Sequence, residues 1–495
     1  MTLPAYAALY LVVYVLATAF LARLGARKTG DFAAYAASGA QLSPLATALV
    51  AAACLTSTAT FSINPGFVYK EGLSALLAFS LPVAIGVTLA FFFLGPRIRE
   101  TSVGPDGTIR VLTLPEWVGR RFESPRLRSL FAVLVLLLFC YAVLVLAGAA
   151  YVASATLHVP VGAATIIIMA FVVAYTAIGG THAHASTNVV KGALLLVAAI
   201  AMGSLAARRL FTGPAPEIQK LASVDPLLLV PFREGSALFS SPLHVLAFPL
   251  VMGFALACQP HILVKVLYVK DARAIRRTAL ATGALFLALG APALLSGLAA
   301  RAELGEALKQ DRAASTWVAG AFPAPIAALV GTIMIAAAIG TLNALLLALG
   351  STFAHDVVRP LAERFTGKAA ASSLGWGRVA TLGLGALVAL VAYDPPKLVW
   401  LTGVTGVYAL VAAACPAVIA GCMKGRTPAW AIGAAAVLGP ALHAGLYLFG
   451  VSPNPNATGT AGVALGLAIA VAGRAISSRR AGRRAPETRP ELVGV

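Results

Sequence analysis

The chain has 495 residues, of which 59% are hydrophobic and only 11% charged, with 37 Lys and Arg against 18 Asp and Glu. A soluble globular chain carries about 25% charged residues, so this composition excludes a soluble enzyme or binding domain. The net charge of +19 is not a nucleic-acid signal either, because no basic folded module exists to carry it.

A hydrocarbon core about 30 Å thick takes a helix of about 20 apolar residues, and thirteen stretches qualify. The first, 3–25, lacks a basic n-region and is too long for the h-region of a signal peptide, so it is expected to be a retained helix. The second, 44–68, contains Thr56, Ser57, Thr58, Thr60 and Ser62 in its middle, followed by Asn64-Pro65-Gly66. Hydroxyls at that density predict a helix that unwinds locally and offers carbonyls and hydroxyls to a cation or solute; the alternative is a helix merely bent by back-bonding to its own carbonyls. Stretches 74–96, 129–157, 160–178 and 189–207 follow. The seventh, 243–268, holds Gln259-Pro260-His261, where the proline removes a helical hydrogen bond and predicts a kink. After 278–300, the ninth stretch, 323–351, carries small residues and then Gly340-Thr341-Leu342-Asn343, which permits close helix approach and offers neutral oxygens. The last four are 376–393, 398–421, 429–450 and 459–473. The longest loops, 97–128 and 208–242, are too short to build a core of their own. The expected fold is therefore an all-α polytopic membrane protein with one transmembrane domain over 1–475 and a basic, disordered tail over 476–495.

Numbering the loops alternately with the N-terminus outside leaves 28 of the 37 Lys and Arg on one side, all but Lys70, Arg208, Arg209, Lys220, Arg233, Arg301, Lys309, Arg312 and Lys397. Lys and Arg favour the cytoplasmic side, which predicts N-out and C-in in the inner membrane of a bacterial-type cell, with the basic rim facing anionic lipid.

The centres of the stretches carry no Asp or Glu, so the carboxylate relay of many pumps is missing, and no nucleotide cradle is visible. His158, His182, His184, His244, His261, His355 and His443 lie mostly at helix ends, without haem or zinc spacing. Cys54, Cys140, Cys258, Cys415 and Cys422 read as small apolar packing residues. No transition metal and no cofactor are expected, and no convincing catalytic set argues for a membrane enzyme. A sensor lacks an output domain.

The order and spacing of several strings resembles the sodium:solute symporter family. They are Gly39 to Gly72 around the second stretch, Thr113-Leu114-Pro115-Glu116-Trp117, Ala177-Ile178-Gly179-Gly180, Gln259-Pro260-His261-Ile262-Leu263 with Asp271-Ala272-Arg273, and the Gly340-to-Asn343 region. The resemblance implies a LeuT-like fold of about thirteen helices. Helices 2–6 (about 44–210) and 7–11 (about 243–421) form two inverted five-helix repeats, with extra helices at both ends and solute held between broken helices 2 and 7. It also implies a sodium site made by the carbonyls of Ala53, Thr56 and Ala337 with Gly340 and Thr341. The implied activity is symport of a small organic solute with a coupling cation.

Three positions depart from that pattern. Gly340 stands where the family carries a hydroxyl, Asn188 where it carries Asp, and Lys191 where it carries Gln. Two readings of Lys191 follow: it snorkels to the headgroups from the first turn of its helix, or its ammonium occupies the vacated site and exchanges protons during transport. Coupling through sodium, protons or neither stays open. Ser57, Thr58 and Gln259, the polar groups beside the two breaks, are expected to face the solute. With no central carboxylate to hold a positive charge, a small anion such as a monocarboxylate is the expected cargo.

Overall fold

The computed structural model describes residues 1–26, 42–105, 108–214, 216–366, 373–395 and 399–482. Arg27, Lys28, Lys368, Lys397, Arg483, Arg484 and Arg489 lie outside them, as do the side chains of His182 and His184 and the 483–495 part of the expected tail. Among the described residues the chain is helical, with one isolated antiparallel bridge between Val103 and Ile109.

A helix matches every expected stretch. They are α1 (Leu3–Ala26), the bent α2 (Pro44–Leu55 with Ala59–Glu71), α3 (Leu73–Ser102), α4 (Pro125–Leu157), α5 and α6 (limbs of Val161–Phe211), the bent α7 (Leu243–Leu256 with Pro260–Tyr268), α8 (Ala272–Leu304), α9 (Ala324–Phe365), α10 (Ser373–Tyr393), α11 (Val399–Cys422), α12 (Ala429–Leu448) and α13 (Pro455–Gly482). By length and hydropathy ten of these helices cross a bilayer, or twelve with each bent pair taken as one span, and Val161–Ala177 is a shorter apolar helix. The starts are set locally. Ser43 accepts the Ala46 N–H (3.2 Å) ahead of Pro44, and Asp271 accepts the Ala274 N–H (2.7 Å), the usual work of an N-cap. α13 runs to Gly482, so the expected tail boundary at 476 falls inside a helix.

The structure departs from the expected pair of separate helices 5 and 6, because the backbone is helical through Val161–Phe211, 51 residues. A straight helix of that length would extend about 77 Å, more than twice the hydrocarbon core. It is not straight. The hydroxyls of Tyr175 and Thr187 are 2.7 Å apart, whereas a straight helix would hold their Cα atoms about 18 Å apart, beyond the reach of both side chains. The chain therefore bends back between them, giving α5 (Val161–Ala177) and α6 (Thr187–Phe211).

α9 is the centre of the bundle: 94% of its most apolar window is enclosed, against 11% for α1. It packs on α1, α2, α4, the α5–α6 limbs and α10. Its small residues, Ala336, Ala337, Ala338 and Gly340, let these neighbours approach closely, as helices in lipid must. The lipid-facing side chains are large and apolar, among them Leu16, Phe93, Ile167 and Leu390.

Candidate solute and cation sites

In α2 the break begins where Thr56 leaves the helix at φ −88° and ψ 75°. Its hydroxyl turns back to donate to the Ala52 carbonyl at 2.6 Å. Ser57 Oγ accepts the Ala59 N–H at 3.2 Å and so restarts the chain as a π-helical turn, Ala59–Ile63. The two halves meet at 60°. Thus the hydroxyls that predicted the break also serve the backbone groups freed by it.

In α7 the break ends at Gln259, extended at φ −64° and ψ 141°. Pro260 then occupies the first helical position, where no N–H is needed. The Gln259 carbonyl accepts the N–H groups of Ile262 and Leu263 at 3.0 and 2.8 Å. Its side-chain Nε2 donates to the Leu256 carbonyl at 3.1 Å, which leaves Oε1 buried without a partner. The halves of α7 meet at 68°.

Between the two breaks lies a cavity of about 850 Å³. Its polar wall is Ser57, Thr60, Asn64, Tyr141, Gln259, His261, Tyr408 and Asn456, and its apolar wall includes Phe79, Leu144, Met252 and Phe286. Among the described residues no Asp or Glu lines it. Tyr141 donates to Ser57 Oγ (3.3 Å) and Tyr408 to Asn456 Oδ1 (2.8 Å). Of the three solute residues expected from sequence, Ser57 and Gln259 are on this wall. Thr58 is not among the lining residues; its hydroxyl donates to the Met334 carbonyl of α9 at 3.1 Å. Sequence reasoning missed Tyr141, Tyr408 and Asn456, because α4, α11 and α13 carry no break to mark them. A second cavity, about 730 Å³, lies against the far half of α7, and His261 belongs to the walls of both.

All five expected cation-site residues are buried: Ala53 and Thr56 on α2, with Ala337, Gly340 and Thr341 on α9. Thr341 Oγ1 has no hydrogen-bond partner. α6 packs against α9 at this level. A Cβ at Gly340 would overlap Asn188 Oδ1 and stand 3.4 Å from Lys191 Cδ. Lys191 is 4% exposed, and its Nζ finds no protein hydrogen-bond acceptor. Instead Nζ lies 5.7 Å from the centre of the Tyr14 ring and 5.5 Å from that of Tyr175. Cys54, next to Ala53, is within electrostatic reach of Lys191 and of Lys265 on α7.

At one end of the bundle the short helix Leu114–Arg121 is clasped to the end of α9. Thr113 donates to Asp356 Oδ2 (2.6 Å), and Arg128 pairs with Asp356 Oδ1 (2.7 Å). Glu116 accepts the Leu112 N–H (2.8 Å) and pairs with Arg120 (2.7 Å) and with His355 (3.3 Å). Burial pushes the Glu116 carboxyl up, but His355, the Leu112 N–H and Arg120 together hold it down at about 2.

The chain matches the sodium:solute symporter family over residues 35–424. It is similar to the osmoregulated proline transporter OpuE of Bacillus subtilis, 28% identical over 53% of this chain and 52% of that one, so the match spans about half of that relative. It is also similar to the sodium/pantothenate symporter of Escherichia coli, 25% identical over 76% of each chain. In fold it is similar to a Na+-coupled sialic acid symporter in a substrate-bound outward-open state, with TM-score 0.78, 16% identity and coverage of 95% of this chain and 98% of the other. The nucleobase-cation-symport-1 family transporter Mhp1 aligns at TM-score 0.54 and 14% identity, over 90% and 95% of the two chains.

Proposed function

The chain belongs to the sodium:solute symporter family, and from that premise we propose that it is a secondary active transporter that carries a small organic solute, a monoanion such as a monocarboxylate, together with a coupling cation. The observation that carries this reading is the cavity between the two bent spans, lined by both Ser57 and Gln259, with Gln259 Oε1 unpaired. Bent spans at mid-membrane free backbone groups for ligands and let the halves rock about the site. The anionic cargo is supported by charge. Among the described residues no carboxylate lines either cavity, whereas Lys265 lines one and Lys191 is within electrostatic reach of Cys54 on the wall of the other. The cargo enters from the outside, with the N-terminus outside and the C-terminus in the cytoplasm.

Sodium is the coupling ion of the first reading, at Ala53, Thr56, Ala337 and Thr341, where carbonyl and hydroxyl oxygens suit a hard cation. A second reading is favoured by the contact between Gly340 and Lys191. All three departures from the family pattern meet there: a Cβ at Gly340 would overlap Asn188 Oδ1 and touch the Lys191 stem. On this reading Lys191 acts as a tethered cation, and transport is coupled to protons or uncoupled from sodium. Uptake of labelled lactate, pantothenate, proline and glucose into proteoliposomes, under sodium and proton gradients imposed separately, tests the proposal. Accumulation of a carboxylate under at least one gradient is the expected result; no ion-driven accumulation of any of them overturns it.

A further inference from the structure

We propose that Asn456 of α13 is a solute-binding residue of the central cavity: its amide Nδ2 donates to the carboxylate of the cargo, and Tyr408 is the positioning residue that fixes the amide for that contact. This rests on the symport reading above.

The start of α13 is set locally. Asn454 precedes the helix and caps it: its Oδ1 accepts the N–H groups of Asn456 (2.9 Å) and Ala457 (3.4 Å), while Pro455 takes the first helical position. The Asn454 Nδ2 donates to the Leu238 carbonyl at 2.9 Å, so the loop before α7 pins the same turn. His443 of α12 ties the neighbours together, with Nδ1 2.9 Å from Thr458 Oγ1 on α13 and Nε2 3.1 Å from the Thr405 carbonyl on α11. One turn past Asn456, a Cβ at Gly459 would stand 3.0 Å from Met252 and 3.1 Å from the Tyr408 ring. The glycine accommodates both, and α13 thereby reaches the wall that Met252 and Tyr408 share.

On that wall Asn456 is 5% exposed, and its Oδ1 accepts the Tyr408 hydroxyl at 2.8 Å. With Oδ1 taken by Tyr408 and the backbone N–H by Asn454, Nδ2 is the group left for the cavity. Two other donors of the wall are spent, Gln259 Nε2 on the Leu256 carbonyl and the Tyr141 hydroxyl on Ser57. Among the described residues no Lys or Arg lines this cavity. A carboxylate that enters it exchanges water for neutral N–H and O–H donors, and a hydrogen bond to an ionised group is about twice as strong as one between neutral partners. Asn456 also lies in the first turn of α13, where the helix end carries partial positive charge. A solute without the carboxylate loses most of this contact. Asn456 thus gives the cavity a preference for net negative charge without a cation on its wall.

Equilibrium binding to the purified protein at pH 7 tests this, with labelled lactate and pantothenate each set against its uncharged counterpart, lactamide and pantothenol. Asn456→Ala should raise the Kd of the carboxylates about tenfold and that of the uncharged pair about threefold or less. Asn456→Asp, which sets a like charge beside the carboxylate, should abolish carboxylate binding and spare the uncharged pair; Asn456→Leu replaces it if that variant does not fold, with a loss like that of Asn456→Ala. Tyr408→Phe should raise the carboxylate Kd about threefold, and adding it to Asn456→Ala should cost nothing more, because Tyr408 acts through the amide. No binding of either carboxylate by the parent, an unchanged Kd in Asn456→Ala, equal losses for charged and uncharged solutes, or full additivity with Tyr408→Phe overturns the assignment. Binding needs no gradient, so its failure with ion-driven uptake intact leaves symport standing. Absence of any ion-driven uptake removes the symport reading without altering the binding pattern.

Discussion

Gly340 on α9 and Lys191 on α6 are in van der Waals register: a methyl group at Gly340 would stand 3.4 Å from Lys191 Cδ and overlap the side-chain oxygen of Asn188. A side chain at Gly340 would therefore press first on Asn188. Gly340→Ser alone should lower stability by about 1–3 kcal/mol through overpacking. Adding Asn188→Ala, which removes the overlapping oxygen, should recover at least about 0.5 kcal/mol beyond additivity. Thermal unfolding of the purified single and double variants measures this; strict additivity would show that the contact carries no energy.

The Lys191 ammonium lies over two rings, one of them from α1, a helix outside the two repeats. Tyr14→Leu should cost about 0.5–2 kcal/mol, the range for a cation–π contact from exposed to desolvated. Tyr14→Phe keeps the ring and should cost less. Equal losses in both variants would assign the effect to the Tyr14 hydroxyl instead.

Polar groups at the breaks should divide by role. Ser57→Ala and Gln259→Ala should raise the KM for solute several-fold, because each loses a group on the cavity wall worth about 1 kcal/mol as a hydrogen bond. Thr58→Val should leave KM unchanged and lower stability by about 1 kcal/mol, since it removes the bond to the Met334 carbonyl. A KM effect in Thr58→Val with stability intact would reverse that assignment.

The clasp around Glu116 has a pH signature. Its carboxyl is held at about 2, below its usual 4.5, so its stabilising effect is complete above pH 4.5 and is lost as the pH falls towards 2. Glu116→Gln should unfold at a lower temperature than the parent at pH 7, and the gap should narrow between pH 4.5 and 2. A gap independent of pH would mean that the contacts of the Glu116 carboxylate with Arg120 and His355 do not contribute.

Much of this was legible in the sequence. Thr56 to Ser62 and Pro260 marked both bent spans, because hydroxyls and an N1 proline are what a broken helix needs at its new ends. Apolar length alone placed thirteen helices. The joint between α5 and α6 was not legible: Gly179 and Gly180 read as a loop, yet the backbone stays helical through them. Nor was the direction of Thr58. Its neighbours Ser57 and Thr56 look alike in sequence, and which hydroxyl meets the cavity depends on the local turn. Lys191 carried two readings because its surroundings are not local: Gly340, about 150 positions away, lies beside its stem, and Tyr14 comes from a helix with no motif of its own.

The sodium activation curve of uptake in proteoliposomes, for the parent protein and Lys191→Gln, tests the coupling account most directly. The tethered-cation reading sets the ammonium about 6 Å from the ion, and two such charges at an effective dielectric near 20 repel by about 3 kcal/mol, or about a hundredfold in affinity. The tethered-cation reading predicts weak or no sodium activation in the parent at pH 7, and activation at a sodium concentration lower by about ten- to a hundredfold once the ammonium is removed; the sodium reading predicts activation in both. Tight sodium activation of the parent, with an unchanged curve in Lys191→Gln, would contradict the tethered-cation reading.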